Sequence, residues 1–170
     1  AHLWGGTRRF LPHPKHMLEL GCGTGLSGIA VVKYCCRRHW EEQWQEGGQP
    51  EQREEKQNGG LLRRAILTDN AEDCLELAHK NIQHNLSEEM RHVTVEAHCL
   101  QWVTDASTMV PDAVQCAFDT VIATDVIYDC GAVVPLLRSA HGCLQDGGVF
   151  VLSHVPRAAL PCDEGNVYTT

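Results

Sequence analysis

Apolar positions along this chain fall into two alternating patterns. Short apolar runs recur at Met17–Leu20, Arg64–Thr68, His92–Ala97, Phe118–Ala123 and Val149–Leu152, each closed by glycine or a polar residue. Runs of that length and punctuation predict strands. Between them, apolar residues return at helical spacing. Leu26, Ile29, Ala30, Val31 and Val32 lie within 25–34, Ala71, Leu75, Ala78, Ile82 and Leu86 mark a second helix, and Val133, Leu136, Leu137, Ala140 and Leu144 mark a third. Such a stripe buries one helix face. Strands separated by helices predict a doubly wound α/β domain with a parallel sheet and right-handed crossovers.

Two stretches break the pattern. About 40–60, "WEEQWQEGGQPEQREEKQNGG" is polar, charged and poor in core residues, which predicts a surface insertion, partly helical at its start, within a single domain spanning 1–170. About 155–170 an irregular tail is expected, since Pro156, Pro161 and Gly165 interrupt it. The segment 106–117 is least legible: Asp105 suits a short helix cap, and Pro111 limits the helix length.

Composition narrows the possibilities. The 170 residues carry 22 acidic against 14 basic side chains, a net charge of −8, which argues against sequence-independent nucleic-acid binding and points toward a basic partner surface. No run approaches the roughly 18 apolar residues of a membrane helix. The nine cysteines are odd in number and lack a C-x-x-C, and the ten histidines lack metal-ligand spacing, so no metal is expected. Reduced thiols and an intracellular setting, cytoplasmic or nuclear, follow as the default reading.

In parallel sheets of this class, ligands bind beyond the carboxyl ends of the strands. Polar and glycine residues stand there: Gly21, Gly23 and Gly25 after the first strand, Asp69 after the second, Trp102 past the third, Asp125 after the fourth. The loop "LELGCGTGLSG" has two readings. Gly23 to Gly28 makes a G-x-G-x-x-G dinucleotide frame, whose amides would hold a pyrophosphate. Glu19 sits awkwardly beside that anion, yet well beside the cationic methionine end of S-adenosylmethionine. Asp69 suits the ribose of either cofactor and also a helix cap, although Asn70 is available for capping.

"LELGCGTGLSGIA", "LTDN" with "LELAHKNIQHN", "QW" and "FDTVIATDVIYD" follow one another in an order that resembles the family-16, seven-β-strand (class I) S-adenosylmethionine-dependent methyltransferases, the methyltransferase-like protein-lysine group. The resemblance runs from about Met17 to Leu152. It implies a Rossmann-like sheet in order 3-2-1-4-5 and S-adenosyl-L-methionine as cofactor. Glu19, Gly21, Gly23 and Gly25 would face its methionine end, Asp69 its ribose and Trp102 its adenine. Asp125 and Tyr128, from the family's D-x-x-Y signature, would line the methyl-transfer site as catalytic residues, Asp125 also touching cofactor. Trp4 loosely matches a tryptophan that the family places before its first strand.

Val126 and Ile127 replace the paired prolines of enzymes that methylate planar amide or base nitrogens, which favours an aliphatic amine. The family's final β-hairpin has no counterpart in the pattern after Leu152, so truncation at both ends is expected. Three alternatives stay open: a catalytically inactive S-adenosylmethionine-binding module, a small-molecule or nucleic-acid methyltransferase, and a nicotinamide-dependent oxidoreductase. The expected partner is a protein with a basic surface, of undetermined lysine position, with no membrane association. Oligomeric state is not legible.

Overall fold

β1 (His16–Leu20) is almost wholly buried, and its side chains alternate between two cores. Leu18 and Leu20 face one side of the sheet and Met17 the other. β2 (Arg64–Asp69) and β4 (Phe118–Thr124) flank it in parallel and repeat the alternation: Ile66, Val121 and Ala123 join the first core, Ala65, Leu67 and Ile122 the second. Burial on both faces explains why these runs read as continuous apolar segments. With β3 (Thr94–Cys99) beside β2 and β5 (Leu144–Ser153) beside β4, the sheet is five-stranded, all parallel, in order β3-β2-β1-β4-β5. That is the predicted order. This computed structural model describes residues 14–45, 61–86, 90, 92–105 and 107–155.

Helices α1 (Leu26–Gln45) and α2 (Glu72–Asn85) bring Ile29, Val32, Leu75 and Ala78 to the second core. Helix α3 (Val133–Cys143) covers the opposite face with Leu136 and Ala140, helped by Val103 and Val110 from the connection before β4. Pro135 fits in the first turn of α3, where a missing N–H leaves no bond unmade. Buried Ser139 of α3 accepts the Val103 N–H at 2.8 Å and pins that connection.

Several boundaries differ from the sequence pattern for local reasons. β3 starts at Thr94, two residues later than its alternation suggests, and ends at Cys99. The ladder of β5 with β4 runs over Val149–Ser153, as its apolar run implies. Leu144 pairs separately with Phe118, and the register slips between them through Gly147, at φ +76°. α1 continues through Gln45, so the polar stretch expected from about 40 begins as helix, while 46–60 lie outside the described residues. So do Trp4 and all but the start of the expected tail.

Asp105 caps a turn instead of a helix. Its carboxylate accepts the Ser107 N–H at 2.9 Å and hydroxyl at 3.0 Å, and these bonds hold it below the usual carboxylate range. Cysteine state departs from expectation at one position. Seven described cysteines are free thiols, whereas Cys130 is disulfide-bonded. Among the described residues, no helix is long and apolar enough to cross a membrane.

Candidate functional site

The carboxyl ends of β1, β2, β3 and β4 open onto a cavity of about 560 Å³. Its wall is formed by Gly21 and Gly23 after β1, Asp69 and Asn70 after β2, and Leu100 to Trp102 after β3. Val126, Tyr128 and Asp129 follow from the loop after β4, with Ala132 and Pro135 at the start of α3. That size suits a nucleoside-like cofactor with room beside it. Of the residues singled out from sequence, Gly21, Gly23, Asp69, Trp102 and Tyr128 meet here; Glu19, Gly25 and Asp125 stand behind or beside the wall.

The loop after β1 is held from below. Gly21 has φ +71°, and a Cβ there would lie 2.7 Å from Val126 Cγ1 and 3.3 Å from Trp102 Cζ2. Glycine therefore lets the loops after β1, β3 and β4 close on one another. Gly23 faces open space, and its N–H donates to Asp69 Oδ2 at 2.8 Å. Gly25 turns the other way, toward Leu67, Ala78 and Ile29 in the core. The intervening Cys22 donates its N–H to Thr68 O at 2.8 Å. Burial, with Glu19 and Asp69 nearby, pushes its thiol up to about 12, so it is no nucleophile at neutral pH.

Glu19 is 1% exposed and points into the start of α1, where Oε2 accepts the Gly28 N–H at 3.0 Å. The first amides of a helix have no internal partner, and this carboxylate supplies one from the strand beneath. Burial pushes its pKa up to about 7, against the opposing effect of the Gly28 bond. A Cβ on Gly28 would come within 2.4 Å of Glu19 Oε2 and 2.9 Å of Leu67 Cγ. Gly28 is thus a packing position over β2, the role that the third glycine of a dinucleotide frame would also fill.

Asp69 serves two backbones at once. Besides Gly23, its Oδ1 accepts the Ala71 N–H at 3.0 Å, at the entry to α2. Asn70 does not take the cap, contrary to the sequence reading; its amide reaches Gln101 Oε1 at 3.5 Å. Each carboxylate oxygen keeps a second lone pair, so Asp69 can still accept hydroxyls from the cavity.

Asp125 ends β4 in the left-handed region, φ +52°, and donates its N–H to Ser153 O at 2.7 Å. Its carboxylate lies 3.9 Å from His154 Nδ1, past the end of β5. The chain then turns back, presenting Val126, Tyr128 and Asp129 to the cavity. Tyr128 is 60% exposed. Asp129 caps the short helical turn Cys130–Ala132 by accepting the Ala132 N–H at 2.9 Å. Sequence reasoning gave Asn70 only a capping role and passed over Gln101 and Asp129, although each adjoins a residue it chose. His154 carried a similar signal, standing one residue beyond a strand end.

The family model described as lysine methyltransferase matches residues 58–160. No curated protein matches the chain. Among solved structures, the fold is similar to BH2331 of Bacillus halodurans C-125, a provisionally assigned methyltransferase: TM-score 0.52 and 15% identity over 84% of this chain and 45% of that one. It is also similar to the CMeT domain of the citrinin polyketide synthase, with TM-score 0.51 and 14% identity over 82% of this chain and 28% of that one. At such identities the likeness establishes the fold, and the chain spans less than half the length of either structure.

Proposed function

The chain belongs to the lysine methyltransferase family of S-adenosylmethionine-dependent enzymes, and on that premise we propose that it transfers a methyl group from S-adenosylmethionine to a lysine side chain of a protein. One observation carries the reading. A single cavity collects a glycine loop, a ribose-competent carboxylate, an indole and an exposed phenol at the carboxyl ends of four strands.

The residues present fit the cofactor. Gly21 and Gly23 offer backbone without side chains, and Asp69 has acceptor capacity for ribose hydroxyls. Trp102, half-buried against the core, offers an apolar wall for adenine. Glu19 acts through the loop, fixing the start of α1 beneath it, and not by touching ligand. When bound, the cofactor supplies an electrophilic methyl group on a sulfonium.

The protein's task is then to hold a neutral amine in line with that methyl group and exclude competing water. Tyr128 shapes the acceptor side, and its ring tolerates a cationic methylated nitrogen. The acceptor's surplus proton leaves before attack, toward a carboxylate or the open mouth. Asp125 positions this wall: its left-handed turn, tied to β5, sets where Val126 and Tyr128 enter the cavity. An intracellular site of action belongs to the same reading; seven described cysteines are free thiols, and the Cys130 disulfide counts against it.

Calorimetry with S-adenosylhomocysteine and with NAD tests the cofactor, and tritiated methyl transfer followed by acid hydrolysis tests the acceptor. Heat from S-adenosylhomocysteine, none from NAD, and label in Nε-methyl-lysine are expected. Heat from NAD alone would defeat the reading. Binding of S-adenosylhomocysteine with no transfer would identify an inactive cofactor-binding module instead.

A further inference from the structure

We infer that Asp129 captures the incoming amine as a cation at the cavity mouth, making it a specificity-determining residue for aliphatic ammonium groups; this rests on the methyltransferase reading above. Four carboxylates stand in or around the cavity wall. Glu19 is sealed under the glycine loop and bonded to Gly28. Asp69, oriented by the Gly23 and Ala71 amides, stands on the side of the cavity assigned to the ribose. Asp125 points toward His154, off the cavity wall. Asp129 lines the wall, is exposed, and directs one oxygen to a single local bond with Ala132.

That bond matters for recognition. A flexible surface carboxylate loses entropy when it grips a cation, whereas one tied into a helical turn is already oriented. Asp129 also follows Tyr128 directly, so a negative charge and an exposed aromatic ring adjoin on one wall. A lysine side chain is almost wholly ammonium at neutral pH, because its ordinary pKa is about 10.4. Its first encounter with the site is therefore as a cation, for which a carboxylate beside a phenol is a matched receptor. Exposure suits this role better than burial, because the captured ammonium must pass one proton to water before it can attack. A planar amide or a hydroxyl can donate a hydrogen bond to this carboxylate but brings no opposite charge to pair with it.

The probe is n-butylammonium chloride, a lysine side-chain mimic, with n-butanol as the uncharged control. Each is titrated by NMR into the full chain saturated with S-adenosylhomocysteine. Asp129→Asn keeps an oxygen able to accept the Ala132 N–H, so the turn is retained while the charge is lost. Wild type should bind n-butylammonium saturably and better than n-butanol, with affinity falling as salt rises. Asp129→Asn should weaken n-butylammonium about ten-fold, leave S-adenosylhomocysteine affinity and thermal midpoint unchanged, and lose the salt dependence. Asp129→Glu should recover part of the loss.

Equal binding of n-butanol and n-butylammonium by wild type would overturn the inference without any variant. So would absence of saturable amine binding, or an Asp129→Asn variant as tight as wild type. Absence of S-adenosylhomocysteine binding would instead defeat the methyltransferase reading itself.

Discussion

The loops after β1 and after β4 share the cavity but are built on opposite principles. After β1, side chains serve the protein: Glu19 holds Gly28, Asp69 holds Gly23, and Gly25 packs inward on Leu67. After β4, side chains serve the space: Tyr128 and Asp129 stand exposed on the wall, carried by a turn that begins at Asp125 in a conformation few non-glycine residues adopt. One loop presents backbone on a satisfied foundation, and the other presents functional groups on a strained one. The contrast predicts that changes in the first loop act chiefly on stability, and changes in the second on chemistry.

The largest effect should come from Glu19. Its pKa rises from an ordinary 4.5 to about 7 on folding. A raised acid favours the folded state while protonated, so its contribution is complete below about pH 4.5 and is lost as pH rises through 7. The span amounts to about 3 kcal/mol. Glu19→Gln removes the titration while keeping an oxygen for Gly28. Denaturant unfolding from pH 4 to 8 should show a downward slope in wild type that disappears in the variant. Parallel slopes would mean that Glu19 is ionised in both states.

Next in size is Gly28→Ala. Alanine improves helix propensity by about 1 kcal/mol, so propensity alone predicts stabilisation. The new methyl, however, would collide with Glu19 Oε2 and with Leu67 Cγ, both side chains essentially fully buried. Overpacking of this kind should outweigh the gain and leave a net loss of about 2 kcal/mol, read as a lower thermal midpoint. A higher midpoint would show that α1 can shift over β2 freely.

The same contrast explains what the sequence could reveal. Strands β1, β2 and β4 were legible because both faces are buried, leaving apolar runs with no other use. Edge strands β3 and β5 carry mixed patterns, and their ends shifted accordingly. Glycine positions announced the first loop, but Glu19's partner is a backbone amide nine residues on, which no side-chain pattern encodes. Asp69's double duty was hidden for the same reason, and Asn70, available for capping by composition, faces Gln101. At the second loop, D-x-x-Y marked the place, while the inward wall includes the adjoining Asp129 because the left-handed turn at Asp125 redirects the chain.

That turn gives the smallest and most diagnostic prediction. Asp125 at φ +52° holds a strained backbone conformation that glycine adopts without cost. Asp125→Gly should relieve the strain, and the gain exceeds the extra chain entropy lost by glycine only because the native geometry is left-handed. A net stabilisation of about 1 kcal/mol is expected, alongside loss of methyl transfer as Tyr128 and Val126 lose their fixed entry to the cavity. Loss of the His154 contact, at 3.9 Å and partly exposed, opposes that gain only weakly. Thermal unfolding and tritium transfer on the same preparation decide the matter. A variant that is both less stable and less active would show that the carboxylate, not the backbone, holds the turn.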